Sequence, residues 1–220
     1  MTTTGEVFDF DLMPFLQSRR NVYQLIYLLF MEPKADQFLY DLGKGINFKE
    51  LEEFQKEIGK TLEQFFNQIS DEQILKQKEE FHRLFIGPGQ LAAPPWESYY
   101  RSKDHLLFEE CMFQIRDLYY QFGLQNIKEN KEPDDHLLLE LEFMIFLSEQ
   151  SLQQIDLEEL KRFISTQIEF LQNHLLTWIP PFCERIFENT TSSLYLGAAM
   201  LLEDFCWCDL EALIDAREAL

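Results

Sequence analysis

The sequence predicts an all-α protein, a single bundle of about ten helices with a Gly/Pro-rich loop or hinge in mid-chain. Three observations predict it. Asn47-Phe48-Lys49-Glu50, Thr61-Leu62-Glu63-Gln64 and Ser70-Asp71-Glu72-Gln73 each place a capping side chain three residues before Glu or Gln. That pattern satisfies orphan backbone donors at a helix start. Apolar residues recur at helical spacing, and alternating strand patterns bounded by turn residues are missing. Glycine and proline concentrate between Ile86 and Pro95, with two glycines and three prolines in ten residues. Glycine relaxes φ and proline removes a donor, so a long non-helical segment is expected there.

The first helix is expected over 12–31, where Leu16, Val22, Tyr23, Ile26, Leu29 and Phe30 share a face. Inside it, Ser18-Arg19-Arg20 before the apolar Leu25–Phe30 imitates a twin-arginine export signal. The apolar run is only about eight residues, Met31-Glu32-Pro33-Lys34 interrupts it, and no small-x-small cleavage site follows. A folded helix is the better reading. Further helices are expected over 35–42, over 47–58 on Phe48, Leu51, Phe54 and Ile58, and over 61–68 and 71–86. Beyond the loop they are expected over 103–122, 134–152, 156–176, 180–188 and 192–218. His136 to Leu147 (HLLLELEFMIFL) is apolar almost all round, the mark of a helix buried inside a bundle. Glu140 and Glu142 within it need partners or a cleft. No internal repeat is visible. The chain reads as one domain over 1–220, and 1–86 and 97–220 are the natural subdomains if the 87–96 loop is a hinge.

Composition restricts the function classes. The net charge is −20, which disfavours nucleic acid and anionic lipid surfaces and favours cationic partners. Phenylalanine supplies 21 of 220 residues, either as core or as an apolar receiving surface. Cys111, Cys183, Cys206 and Cys208 form no CxxC and read as reduced thiols in a cytoplasmic protein. No apolar run approaches the roughly 20 residues that span a bilayer, so stable membrane insertion is not expected.

Three clusters stand out. Phe81, Leu84 and Phe85 share one helix face and read alone as core packing. Pro94-Pro95-Trp96-Glu97-Ser98 joins a stiff extended segment to a flat apolar ring, either a rigid link with its Trp plugged inward or a binding surface. Glu132-Pro133-Asp134-Asp135-His136 places acids where Asp134 or Asp135 fits an N-cap. With Glu140, the acids and His136 also allow metal or acid–base chemistry, and a metal-dependent hydrolase built on Asp134, Asp135, His136 and Glu140 is the alternative function. No HExxH, nucleophile elbow, Walker loop or GxGxxG accompanies them. Gly87-Pro88-Gly89 is no phosphate cradle, because the proline deletes an amide donor.

In this order the clusters resemble the TorD/DmsD family of redox-enzyme maturation chaperones. The resemblance rests on Phe81 to Phe85, the Gly-Pro-Gly after it, Pro94 to Ser98 and Glu132 to His136. Glu140-Leu141-Glu142-Phe143-Met144 and His174-Leu175-x-x-Trp178 extend it, so it covers about residues 75–180. It implies a cytoplasmic, all-helical chaperone with no catalytic residues, metal or cofactor. The implied partners are the twin-arginine leader and the body of a molybdopterin oxidoreductase subunit, held until the cofactor is inserted. The family's leader-binding positions fall on Phe81, Leu84, Phe85, Pro95, Trp96, Glu132, Asp135 and His136. Tyr99-Tyr100 is bulkier than the family's usual Val-Tyr, which is expected to narrow the groove. A twin-arginine leader offers two cations and then an apolar stretch, so its receptor needs carboxylates beside an apolar groove. The chain is expected to be a monomer or a dimer that exchanges elements across the mid-chain hinge.

Overall fold

A computed structural model describes residues 12–220 except 108, 130 and 131. Among the described residues the chain forms eleven α-helices, two π-helical turns and no strand. Helix α1 (Leu12–Leu29) is followed by α2 (Asp36–Gly45), α3 (Phe48–Phe54), α4 (Lys56–Asn67) and α5 (Asp71–Phe81). A π-helical turn, His82–Ile86, extends α5 into the Gly/Pro segment. Then come α6 (Glu97–Arg101), α7 (Glu110–Gln121), α8 (Leu137–Gln153) and α9 (Leu157–Phe170). A second π-helical turn, Leu171–Leu175, carries α9 into α10 (Leu176–Asn189), and α11 (Ser193–Ala219) closes the bundle.

Several starts lie where their caps place them. Asn47 accepts from Glu50 N and Ser70 accepts from Gln73 N. Thr61 does not start a helix. The 47–58 and 61–68 segments divide instead at Gln55, whose extended backbone (φ −151°, ψ 114°) ends α3 and whose side chain accepts from Glu57 N to open α4. The corner is tight: a Cβ on Gly59 would lie 2.5 Å from Glu52 N, so glycine is required where the two helices meet. The expected 103–122 helix is also shorter. Ser102 Oγ accepts from Asp104 N and Leu106 N, a local alternative to helix that delays α7 until Glu110.

The bundle is built around α11, which packs on α1, α4, α9 and α10, while α1 also packs on α8. One hydrophobic core runs from Leu16 to Leu213 and joins residues on both sides of the 87–96 loop. A polar network crosses its interior. Arg19 of the imitation export signal is 3% exposed and forks onto Asp209, with Gln167 accepting at 2.9 Å. Tyr23 donates to the same Asp209 at 2.6 Å. A buried arginine is tolerated only because its charge is paired and most of its donors are used. Helix α8 is less enclosed than its composition suggests: Glu142 is exposed and accepts from Tyr27 OH at 2.8 Å. Cys111, Cys183 and Cys206 are buried free thiols and Cys208 is exposed. No helix among the described residues is long and apolar enough to cross a membrane.

Candidate functional site

The second and third sequence clusters meet in space. Residues 95–98 and 135–137 run side by side, held by Leu137 N donating to Pro95 O (2.9 Å) and Glu97 N donating to Asp135 O (3.1 Å). Trp96 and His136 form an antiparallel bridge, and their rings meet edge-on at 5.5 Å and 78°. Both side chains are half-buried. The two adjacent prolines fit this role, since an extended X-Pro-Pro segment is already preorganised.

Asp135 locks the seam from inside. It is fully buried, and its Oδ2 accepts from Ser98 N at 2.6 Å. Burial raises its pKa, against the lowering effect of the hydrogen bond from Ser98. Asp134 is equally buried, and its carboxylate takes the Arg116 Nε–H and Asn126 Nδ2 (2.9 Å). The N-cap of α8 is therefore neither aspartate but His136, whose Nδ1 accepts from Leu138 N at 3.1 Å. That bond requires an unprotonated Nδ1, so His136 is neutral and presents Nε2–H as a donor. Burial agrees, pushing its pKa down to about 4 against the pull of Glu132.

Two more acids lie beneath the seam. Glu97 is fully buried and accepts from Arg101 Nη1 and from His174 Nδ1 at 3.1 Å. Glu140 is fully buried, with Oε2 accepting from Trp178 Nε1 at 3.1 Å and Oε1 without a partner. Burial first, then the nearby Glu97 charge, hold the Glu140 carboxyl well above the ordinary range. The His174-x-x-x-Trp178 spacing thus reaches both glutamates from one helical face.

The sequence-predicted residues divide into two groups. Phe81, Leu84, Phe85, Pro95 and Asp135 are buried. Phe85 packs among Phe30, Phe81, Phe182 and Tyr195 with ring centroids 5.1–6.0 Å away. Trp96, His136 and Glu132 keep solvent-facing surface, and Glu132 is paired with Lys128 at 2.8 Å. Tyr100 turns inward to stack on Trp178 at 5.7 Å, and Tyr99 stacks on His105 at 4.6 Å. The metal-hydrolase alternative finds no support here. Asp134 and Asp135 are committed to different partners, His136 caps a helix, and among the described residues no three His, Cys, Asp or Glu side chains are grouped to hold a metal. Arg116 and Asn126 were not foreseen, and neither was the bond of Ser98 to Asp135, because each meets its aspartate only through the tertiary fold.

The nitrate reductase delta subunit family matches residues 50–184. A TorD chaperone of Vibrio cholerae is 31% identical over 156 residues, which cover 70% of each chain. The chain belongs to the TorD/DmsD chaperone family. The TorD of Vibrio parahaemolyticus is 34% identical over 138 residues, 61% of this chain and 63% of that one, so the match leaves over a third of that relative unspanned. A Tat proofreading chaperone DmsD of Haemophilus influenzae is 29% identical over 123 residues, covering 56% and 55%. A crystal structure of a candidate redox enzyme maturation protein from Archaeoglobus fulgidus superposes with a TM-score of 0.53 at 23% identity, over 85% of this chain and 92% of that one. That likeness gives the same all-helical fold.

Proposed function

We propose that this TorD/DmsD-family protein is a cytoplasmic chaperone for a molybdopterin oxidoreductase subunit. It binds the subunit's twin-arginine leader, and the folding body behind it, until the cofactor is in place. It performs no catalysis of its own. The observation that carries the reading is the Trp96–His136 seam, where the family's signature segments join and leave an aromatic edge, a neutral donor and Glu132 at the surface. Trp96 offers apolar contact, His136 Nε2–H donates, and Glu132 offers a carboxylate that a guanidinium can take from Lys128. Pro95 and Asp135 hold the seam through Leu137 and Ser98, while Phe81, Leu84 and Phe85 lie buried in the core. The net charge of −20 favours approach of a cationic leader.

Calorimetric titration with synthetic twin-arginine leaders tests this. The reading expects binding with a negative heat-capacity change and an affinity that falls with salt, since exposed charges are screened within about 10 Å at 0.1 M. Glu132→Gln should weaken binding and flatten the salt dependence. Absence of detectable heat with several different leaders would defeat the reading.

A further inference from the structure

The seam brings an aromatic edge and polar groups to the surface, and the hydrophobic run of a leader needs an apolar trough several helical turns long. Such a trough lies elsewhere. Helices α1, α2, α3 and α11 leave a groove of about 800 Å³ between them, and it shares no residue with the seam. Val22, Leu25 and Leu28 of α1 line one wall, and Phe54 and Phe205 face them with ring centroids 6.3 Å apart. Phe54 is 40% exposed, an unusual outlay of aromatic surface at the mouth of a helical groove. Along α1 the lining runs from Ser18 to Leu28, about 15 Å or three helical turns.

The charges select the occupant. Asp41 and Glu50 are the charged residues of the lining, and no Lys, Arg or His lines it among the described residues. Asp41 carries Lys44 at 3.3 Å on the exposed rim, which leaves Glu50 as the open carboxylate. A groove of this section accepts a helix with apolar anchors at i, i+3 or i+4, and i+7. Acids at its edge favour a helix flanked by cations, and they disfavour a second copy of a chain whose net charge is −20.

We propose that this groove receives the apolar helical run that follows the paired arginines of the leader, as a second contact distinct from the Trp96–His136 seam. The proposal rests on the leader-binding function above. It makes recognition bipartite, with polar and aromatic contacts at the seam and hydrophobic length at the α1–α2–α3–α11 groove. Phe54 and Val22 then become specificity determinants for the length and bulk of the apolar run.

The test is calorimetry of one synthetic twin-arginine leader against the full chain and its Phe54→Glu, Val22→Glu and Phe54→Leu variants, with thermal melts and light scattering alongside. Expected is at least a tenfold loss of affinity in both Glu variants, near wild-type affinity in Phe54→Leu, and unchanged monomer mass. A second measurement does not depend on tolerance of a buried charge. A photoreactive benzoylphenylalanine at position 54 should crosslink to the apolar run of the leader, as mapped by mass spectrometry. Wild-type affinity in both Glu variants with no crosslink from position 54 would overturn the groove and leave the leader-binding function standing. No binding by the wild-type chain would bring down both. A change of oligomeric mass in the Glu variants at unchanged leader affinity would assign the groove to a second copy and overturn the proposal.

Discussion

Replacing Trp96 separates what its ring packs against from what its indole nitrogen lacks. The side chain is half-buried, its ring edge meets His136 at 5.5 Å, and Nε1 is buried without a hydrogen-bond partner. Truncating a fully buried tryptophan to alanine costs about 3–5 kcal/mol. Half-burial scales that to roughly 1.5–2.5 kcal/mol for Trp96→Ala, by area. Trp96→Phe keeps an aromatic edge for His136 and removes the unpaired donor, whose burial costs about 1–3 kcal/mol. The lost indole area and the removed penalty nearly cancel, so Trp96→Phe should lie within about 1 kcal/mol of wild type. Trp96→Leu loses the edge-on pair as well and should fall between Phe and Ala, by about 0.5–1.5 kcal/mol relative to Phe. Urea unfolding followed by circular dichroism reads this order as midpoints at constant slope. A loss of more than 2 kcal/mol in Trp96→Phe would refute the reasoning, because it would mean Nε1 has a partner in solution. A loss of 4 kcal/mol or more in Trp96→Ala would make the ring a core plug and remove it from the binding surface.

Two further predictions concern buried charge. Arg19→Met leaves Asp209 buried without its cation and should cost about 3–5 kcal/mol in urea unfolding, whereas Arg19→Met with Asp209→Leu should recover most of it; equal losses in single and double variants would show that the pair is not the cause. Glu140, whose pKa burial and Glu97 raise above the ordinary 4.5, stabilises the fold at low pH and loses that contribution as pH rises from 4.5 toward its folded pKa, because the unfolded chain releases the proton first. Glu140→Gln should therefore gain stability over wild type at pH 8 relative to pH 5, and a pH-independent difference between their urea midpoints would refute it.

The fold class was legible because helical periodicity and caps are local. Asn47 and Ser70 cap the helices they announce. The errors also have local causes. Thr61-Leu62-Glu63-Gln64 has the form of a capping box, yet it lies inside α4, because the packing corner at Gly59 sets the break at Gln55. Pro180-Pro181 looks like a helix start, since a first turn has no donors to lose. The chain instead enters α10 at Leu176 directly from the second π-helical turn and carries both prolines inside it. The candidate site was legible as a set of segments but not as a geometry. Asp135 meets Ser98 37 residues away, and Arg19 meets Asp209 190 residues away. Contacts at that separation leave no periodicity in the sequence. Acids next to a histidine fit a cap, a metal site or a peptide receptor equally well until their partners are known.

The burial pattern changes how substitutions in the signature should be interpreted. Asp135 holds the two segments of the seam through Ser98, and Phe85 sits in a cage of four aromatic rings. Replacing Asp135 disturbs the seam that presents Trp96 and His136, and replacing Phe85 disturbs the core, so a loss of leader affinity at either has a structural explanation before it has a contact explanation. Glu132 is exposed on a loop, and its side chain pairs with Lys128. A binding defect in Glu132→Gln at unchanged stability can therefore only come from the surface. His136 lies between these cases. Its Nδ1 caps α8, so alanine there removes a cap as well as a donor, worth about 0.5–2 kcal/mol for the cap alone. Asparagine can supply the capping oxygen while deleting the Nε2 donor, and so isolates what His136 offers to a ligand. The signature thus interleaves buried residues with exposed ones, and burial tells which substitutions act first on the fold.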